Sequence, residues 1–247
     1  MRFQLNTLSR KFLLVALFSI AMALIEAVVV VYLRFLYHPY GFSFPLPLVD
    51  ARVFTIELLR ELATLVMLAA VSLLAGSTFS HYIAWFLFSF GVWDIFYYIW
   101  LKVLLDWPTT LLDWDILFLI PITWLGPVLA PIICSVLMIL LAVLMLHRNA
   151  KGQNVNLKIQ EWALLILGSV FVLYSFMVDY AALLLKGGFH RQMQNLAQNP
   201  AFQRTLAEFV PSRFQWELFS IGCIAYLAVI VHFCLRTPSA NSNQKIL

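Results

Sequence analysis

Charged side chains are scarce in this chain. They make up 11% of its 247 residues, against roughly a quarter in a soluble domain, so they cannot cover a water-exposed surface of this size. The basic residues are scattered over helix ends and loops and form no stripe, which argues against a nucleic-acid partner despite the net charge of +4. The composition therefore excludes an ordinary soluble domain.

Cysteines and catalytic motifs are also sparse. Cys134, Cys223 and Cys234 fall inside apolar runs, without the spacing of a disulfide framework or a zinc site, which indicates buried free thiols. The motifs Gly-x-Ser-x-Gly and His-Glu-x-x-His are absent, and the five histidines are spread over loops and helix ends. We therefore expect no metal site and no cofactor, and the sequence leaves open whether the protein is an enzyme.

What the chain does have is long apolar runs. Hydrophobic residues make up 63% of it, and six runs are near or above the roughly 20 residues that cross a bilayer. We predict an all-α, polytopic integral membrane helix bundle, with residues 1–235 forming a single transmembrane domain in the lipid bilayer. The predicted spans are about 12–35, 53–76, 82–105, 116–146, 162–185 and 215–235.

The fourth run is ambiguous because it contains Pro121, Pro127 and Pro131. Proline lacks a backbone N–H and breaks or kinks a helix interior. The run is therefore either one long proline-kinked helix or a re-entrant segment followed by a span from about Val128. We favour a kinked or broken helix 4.

Three polar segments interrupt or follow the apolar runs. Tryptophan and aspartate in 106–115 indicate an interfacial turn, in which Asp113 and Asp115 are expected to be exposed. Apolar residues at helical spacing in 189–214 predict an amphipathic surface loop with two short helices on the membrane surface. The polar tail 236–247 is predicted to be disordered.

The distribution of lysine and arginine predicts the orientation. With the amino terminus inside, eight basic residues fall on the cytoplasmic side and seven on the other, so the count alone favours this orientation only slightly. Arg10 and Lys11 flank the first helix, which usually dominates. We expect both termini to be cytoplasmic and the membrane to be a bacterial inner membrane.

Ionisable residues inside the predicted spans define the candidate site. A charge at the centre of a lone helix costs about 2.5–3.5 kcal/mol on insertion scales, so such residues usually face one another. At about 1.5 Å per residue, the charges of four helices lie roughly 18–26 Å above the cytoplasmic ends of their spans. On helix 3, Tyr98 shares a polar face with Asp94. The candidate site residues are Glu26, Glu57, Arg60, Glu61, Asp94, Tyr98 and Asp179.

Charge balance suggests the function. One arginine can satisfy one or two carboxylates, so the others must be protonated, solvated or bound to a cation. Our leading hypothesis is a small carrier or channel-like protein for a proton, a cation or a cationic solute. The alternatives are an enzyme acting on a lipid or lipid-linked substrate, an assembly or structural partner of a membrane complex, and a polar network that only fastens helices together. The sequence does not fix the oligomeric state.

Overall fold

The computed structural model describes residues 7–189, 199–211 and 213–236. Within these ranges, six helices are long and apolar enough to cross a membrane, which confirms the predicted all-α multi-pass bundle. They are α1 (Thr7–Tyr37), α2 (Ala51–Ala75), α3 (Phe79–Leu105), α4 (Leu129–Ala150), α5 (Ile159–Lys186) and α7 (Trp216–Leu235). Two strands, β1 (Trp114–Phe118) and β2 (Trp124–Pro127), precede α4, and the short helix α6 (Pro200–Ala207) precedes α7.

The bundle is organised around α3, which packs against α1, α2 and α4, while α5 packs mainly against α7. Successive long helices alternate in direction. The end of α1, the start of α2 and the two strands therefore lie at one end of the bundle, which we call the hairpin end. The start of α1 and the end of α7 lie at the opposite end. That the opposite end faces the cytoplasm stays a prediction.

The prediction that helix 4 begins near residue 116 is wrong. Residues 114–127 form an antiparallel β hairpin, with Trp114 paired to Pro127 and Ile116 to Leu125. Proline at 121 and 127 removes two backbone donors that a helix interior needs, whereas a turn and a strand end tolerate the loss. Pro131 lies in the first turn of α4, where its missing N–H costs nothing. The alternative of a separate segment before a span from about Val128 agrees with the structure.

The helix ends follow local sequence signals. Asp50 caps α2, since its carboxylate accepts the backbone N–H of Arg52 at 2.8 Å. Helix α2 ends at Ala75, and Gly76 follows it as the C-cap. Asp106 ends α3 in the left-handed conformation, with φ 53°. Gly76 lies at the opposite end of the bundle, where three residues join α2 to α3, and Asp106 lies at the hairpin end.

Helix α6 packs onto the bundle at the hairpin end, and its position on a membrane surface stays a prediction. Phe202 is buried, and its ring meets that of Phe189 edge-on at a centroid distance of 5.4 Å. Both rings pack with Leu183 and Leu184 near the end of α5. The other predicted surface helix falls on 190–198, and the tail beyond Arg236 on 237–247; both lie outside the described residues.

The opposite end is fastened by a buried carboxylate on α5. Glu161 is 1% exposed and accepts hydrogen bonds from the backbone N–H of Lys158 at 2.7 Å and from Arg236 at 3.1 Å. The Nδ1 atom of His232 lies 2.9 Å from the same carboxylate. These contacts join the start of α5 to the end of α7.

Two glycines let α5 and α7 approach closely. A methyl group at Gly222 would lie 2.7 Å from the carbonyl oxygen of Gly168 and 2.7 Å from Cγ2 of Val172. Small residues at membrane helix interfaces allow such backbone approach, so packing joins these two helices.

Candidate functional site

A cavity of about 590 Å³ opens at the hairpin end. Its walls come from α1, α2 and α3, from the segment between α1 and α2, from the hairpin, and from α5 and α6. We call it the acidic cavity because five carboxylates line it: Glu26, Glu57, Glu61, Asp94 and Asp115.

Arg60 on α2 joins two of these carboxylates. Its Nη2 atom lies 2.7 Å from Oε2 of Glu57, one turn earlier on the same helix. Its Nη1 atom contacts Oε1 of Glu26 on α1. Thr64, one turn later, donates to Oε2 of Glu26 at 3.0 Å. The predicted meeting of charges from the first two helices is therefore present in the structure.

Glu61 binds the hairpin instead of an arginine. Its two carboxylate oxygens lie 3.1 and 2.9 Å from the backbone nitrogen of Leu119, which donates to them. Leu119 follows β1, in the turn of the hairpin, where its N–H is free of the strand ladder. A carboxylate on α2 thus holds the hairpin against the cavity.

Asp94 on α3 is held by α4. The Ser135 hydroxyl donates to Oδ2 of Asp94 at 2.8 Å. The approach of the two helices depends on Gly91, because a methyl group there would come within 2.8 Å of the Ser135 carbonyl oxygen. The partner of Asp94 is therefore a neutral hydroxyl from α4.

Asp115, which we expected in an exposed turn, is 2% exposed, so that expectation is wrong. Its Oδ1 atom lies 3.1 Å from Nη2 of Arg34, near the end of α1. The Arg34 guanidinium lies 3.7 Å from the centre of the Trp107 ring and 4.5 Å from that of Phe42. Burial raises the pKa of Asp115 to about 6, although Arg34 and the Tyr98 hydroxyl oppose the shift.

Apart from Nη1 of Arg60, which contacts Glu26 as an ion pair, two buried polar atoms of the cavity wall lack a hydrogen bond among the described residues. One is the indole N–H of Trp93, whose side chain is 5% exposed. The other is Oδ2 of Asp115, whose carboxyl group otherwise interacts with Arg34 and with the Tyr98 hydroxyl. The Trp93 ring stacks on that of Tyr97 at a centroid distance of 6.3 Å. An unpartnered donor and an unpartnered acceptor therefore both belong to the cavity wall.

The structure brings most of the sequence candidates together. Six of them line the acidic cavity, namely Glu26, Glu57, Arg60, Glu61, Asp94 and Tyr98. Asp179 is not among the lining residues, although Tyr180 beside it is. Sequence reasoning missed Arg34, Asp115, Trp93 and Tyr97. Arg34 follows Glu26 by two helical turns, so helical spacing would have placed Arg34 on the same face of α1 as Glu26.

The charges of the cavity do not balance. Five carboxylates face two guanidinium groups, so full ionisation would leave three negative charges uncompensated. His38 also lines the cavity, but burial and the nearby Arg34 lower its pKa, so it adds no charge at neutral pH. Within the described ranges, no three His, Cys, Asp or Glu side chains converge as the ligands of a metal ion do. The carboxylates are instead distributed along the walls.

The fold and this site define a multi-pass α-helical membrane protein with an acidic internal cavity at one end of the bundle. No protein-family model, curated protein or solved structure matches the chain.

Proposed function

We propose that the protein is a small carrier or channel-like protein that binds a proton, a cation or a cationic solute in the acidic cavity. The observation that supports this most directly is the excess of five carboxylates over two arginines in one space. Uncompensated charge is costly away from water, so intramembrane ionisable residues usually mark an ion or proton pathway. An incoming cation or proton removes that cost.

The contacts support Glu61 and Asp94 as the carboxylates that bind. Arg34 is paired with Asp115, and Arg60 is shared by Glu26 and Glu57. Glu61 and Asp94 have only neutral donors, a backbone N–H and a hydroxyl. A hydrogen bond from a neutral donor does not cancel a charge. Glu61 and Asp94 are therefore the groups that exchange a proton or bind the cation.

The direct test is flux through proteoliposomes. A pH-sensitive dye is trapped in the vesicles, and a gradient of protons, sodium, potassium or ethylammonium is applied. The wild-type protein is expected to dissipate at least one gradient faster than empty vesicles do. Glu61→Gln and Asp94→Asn are expected to abolish that flux, because both substitutions keep side-chain volume and remove the charge.

Further variants distinguish an effect on the cavity from a general loss of folding. Glu26→Gln and Arg60→Ala test the paired charges and are expected to reduce flux as well. Glu217→Gln is the matched control, because Glu217 is paired with Arg213 on an exposed part of α7 and does not line the cavity. Wild-type flux equal to empty vesicles for every ion, or unchanged flux in all four cavity variants, contradicts the proposal.

A second candidate function is an enzyme acting on a lipid or lipid-linked substrate. It is favoured by the apolar side chains that line the cavity beside the carboxylates, such as Leu33, Leu46 and Leu58. In this function the carboxylates act as general acid and base. Comparison of membrane lipids with and without the protein tests it: a substrate should accumulate on deletion, and identical lipid profiles count against this candidate.

A further inference from the structure

The acidic cavity has two chemically different halves. Along α1, Glu26 lies about 10 Å from Leu33 at the helical rise per residue, and Leu33 is nearer the hairpin end. Along α2, Glu61 lies about 12 Å from Val53, again with the apolar residue nearer the hairpin end. Glu26 and Glu61 therefore line the inner half of the cavity. Leu33 and Val53 line the half next to the hairpin end, where Arg34 and Asp115 offset each other's charge as an ion pair.

The size of the cavity argues against a bare ion as its whole occupant. A volume of about 590 Å³ falls within the range of roughly 300–1,000 Å³ typical of small-molecule sites. An inorganic cation would leave the apolar half without an occupant. An elongated solute would fill both halves at once.

The polar atoms of the cavity wall restrict the chemical class of the occupant further. Oδ2 of Asp115 lacks a donor, and the Trp93 indole N–H lacks an acceptor, although both are buried in the cavity wall. A buried polar group without a partner costs about 1–3 kcal/mol, so an occupant that supplies the missing partner binds more tightly. An ammonium group supplies donors to Glu61 and Asp94, whose hydrogen-bond donors in the structure are neutral. The aromatic faces of Trp93 and Tyr97 also favour a cation beside them.

We infer that the occupant is an amphiphilic primary amine: its ammonium group binds in the carboxylate half, and its aliphatic chain packs in the half next to the hairpin end. This inference rests on the proposed function, because it names the class of cationic solute that the cavity takes. A free alkylamine and an aminolipid share this chemistry, and the experiment separates these two sources.

The test is thermal unfolding of the purified full chain in phosphatidylcholine nanodiscs, with ethyl-, butyl- and hexylammonium as probes. Each methylene buried in the apolar half is expected to tighten binding by about fourfold, so the Tm shift should grow along the series. Hexanol and hexanesulfonate have the same chain without the positive charge. They are expected to give a far smaller shift or none.

Two cavity variants test which half of the cavity binds the aliphatic chain and which binds the ammonium group. Leu33→Trp is expected to fill the apolar half and to abolish the gain from ethylammonium to hexylammonium while leaving the ethylammonium shift in place. Asp94→Asn is expected to weaken all three amines about equally. The matched control is Leu59→Trp, because Leu59 lies on α2, is 61% exposed and does not line the cavity. It should respond to the amines as the wild type does.

The source of the amine follows from a second set of nanodiscs that contain phosphatidylethanolamine. If the lipid is the natural occupant, Tm is already raised in those discs and added hexylammonium shifts it little. If a free amine is the occupant, the shift is the same in both discs. Either result supports the inference.

The inference is overturned if hexylammonium stabilises the protein no more than hexanol does, or if Leu33→Trp leaves the chain-length gain intact. Equal shifts from ethyl- and hexylammonium would overturn the aliphatic half alone and leave the proposed cation binding standing. No Tm shift from any amine, together with no cation flux in vesicles, would contradict both this inference and the proposed function.

Discussion

The ion pair between Arg34 and Asp115 allows a direct test of how the hairpin is held. The two side chains are 8% and 3% exposed and join the end of α1 to β1 across 81 positions of the chain. Replacement of Arg34 by methionine keeps most of the side-chain stem and removes the charge. Asp115 then remains buried without its cation, and the rings of Trp107 and Phe42 lose the guanidinium packed against them.

The expected cost follows from the burial of the pair. Removal of one partner of a buried ion pair costs about 3–5 kcal/mol. For a chain of this length, each kcal/mol lowers Tm by about 2–4 °C, so Arg34→Met should lower it by about 6–20 °C. Asp115→Asn should cost less, about 1–3 kcal/mol, because the amide oxygen still accepts from Arg34.

A double-mutant cycle in mildly alkaline buffer, read by thermal unfolding in nanodiscs, measures the pair. The double variant Arg34→Met/Asp115→Asn should lose less stability than the two single variants together, by about 0.5–3 kcal/mol. Arg213→Met is the control, since the Arg213–Glu217 pair is exposed and should contribute under about 1 kcal/mol. Strictly additive losses, or a loss at Arg213 as large as that at Arg34, would refute the reasoning.

Three further predictions concern other parts of the bundle. Burial raises the pKa of Asp115 from 3.8 to about 6, so between these pH values the native state keeps a proton that the unfolded chain releases. The free energy of unfolding therefore falls as pH rises through this range. Asp115→Asn should flatten the corresponding slope of Tm measured against pH. Gly222→Ala should cost about 1–3 kcal/mol in thermal unfolding, because the added methyl meets the Gly168 carbonyl, and an unchanged Tm would contradict the close approach of α5 and α7. Glu161→Ala should cost about 3–5 kcal/mol by the same measurement, because Arg236 loses its buried partner, and a loss under about 1 kcal/mol would show that the contact is not formed.

The long helices and one part of the site were predictable from the sequence. An uncharged run of sufficient length has few alternatives in a bilayer, because the backbone must satisfy its own hydrogen bonds there. Charge depth along each helix was also sufficient to predict that Glu26 and Arg60 lie at a similar level. Both inferences use only the regular rise of a helix.

The hairpin and its charges were not predictable in the same way. A short apolar run before α4 is compatible with helix or strand, and its prolines indicate only where a helix is interrupted. The burial of Asp115 depends on Arg34, which is far away in sequence. Without the fold, the sequence Asp113-x-Asp115 is typical of an exposed turn. The error at Asp115 therefore followed directly from missing the hairpin.

The contact between Leu119 and Glu61 has a consequence for sequence variation. The donor is a main-chain group, so the bond is independent of the side chain at position 119. Every residue except proline can supply that N–H. This bond therefore restricts the residue type at position 61 and not at position 119. A search for correlated substitutions would miss the pair. A deep mutational scan should find the same asymmetry: broad tolerance at Leu119 with proline excluded, and narrow tolerance at Glu61.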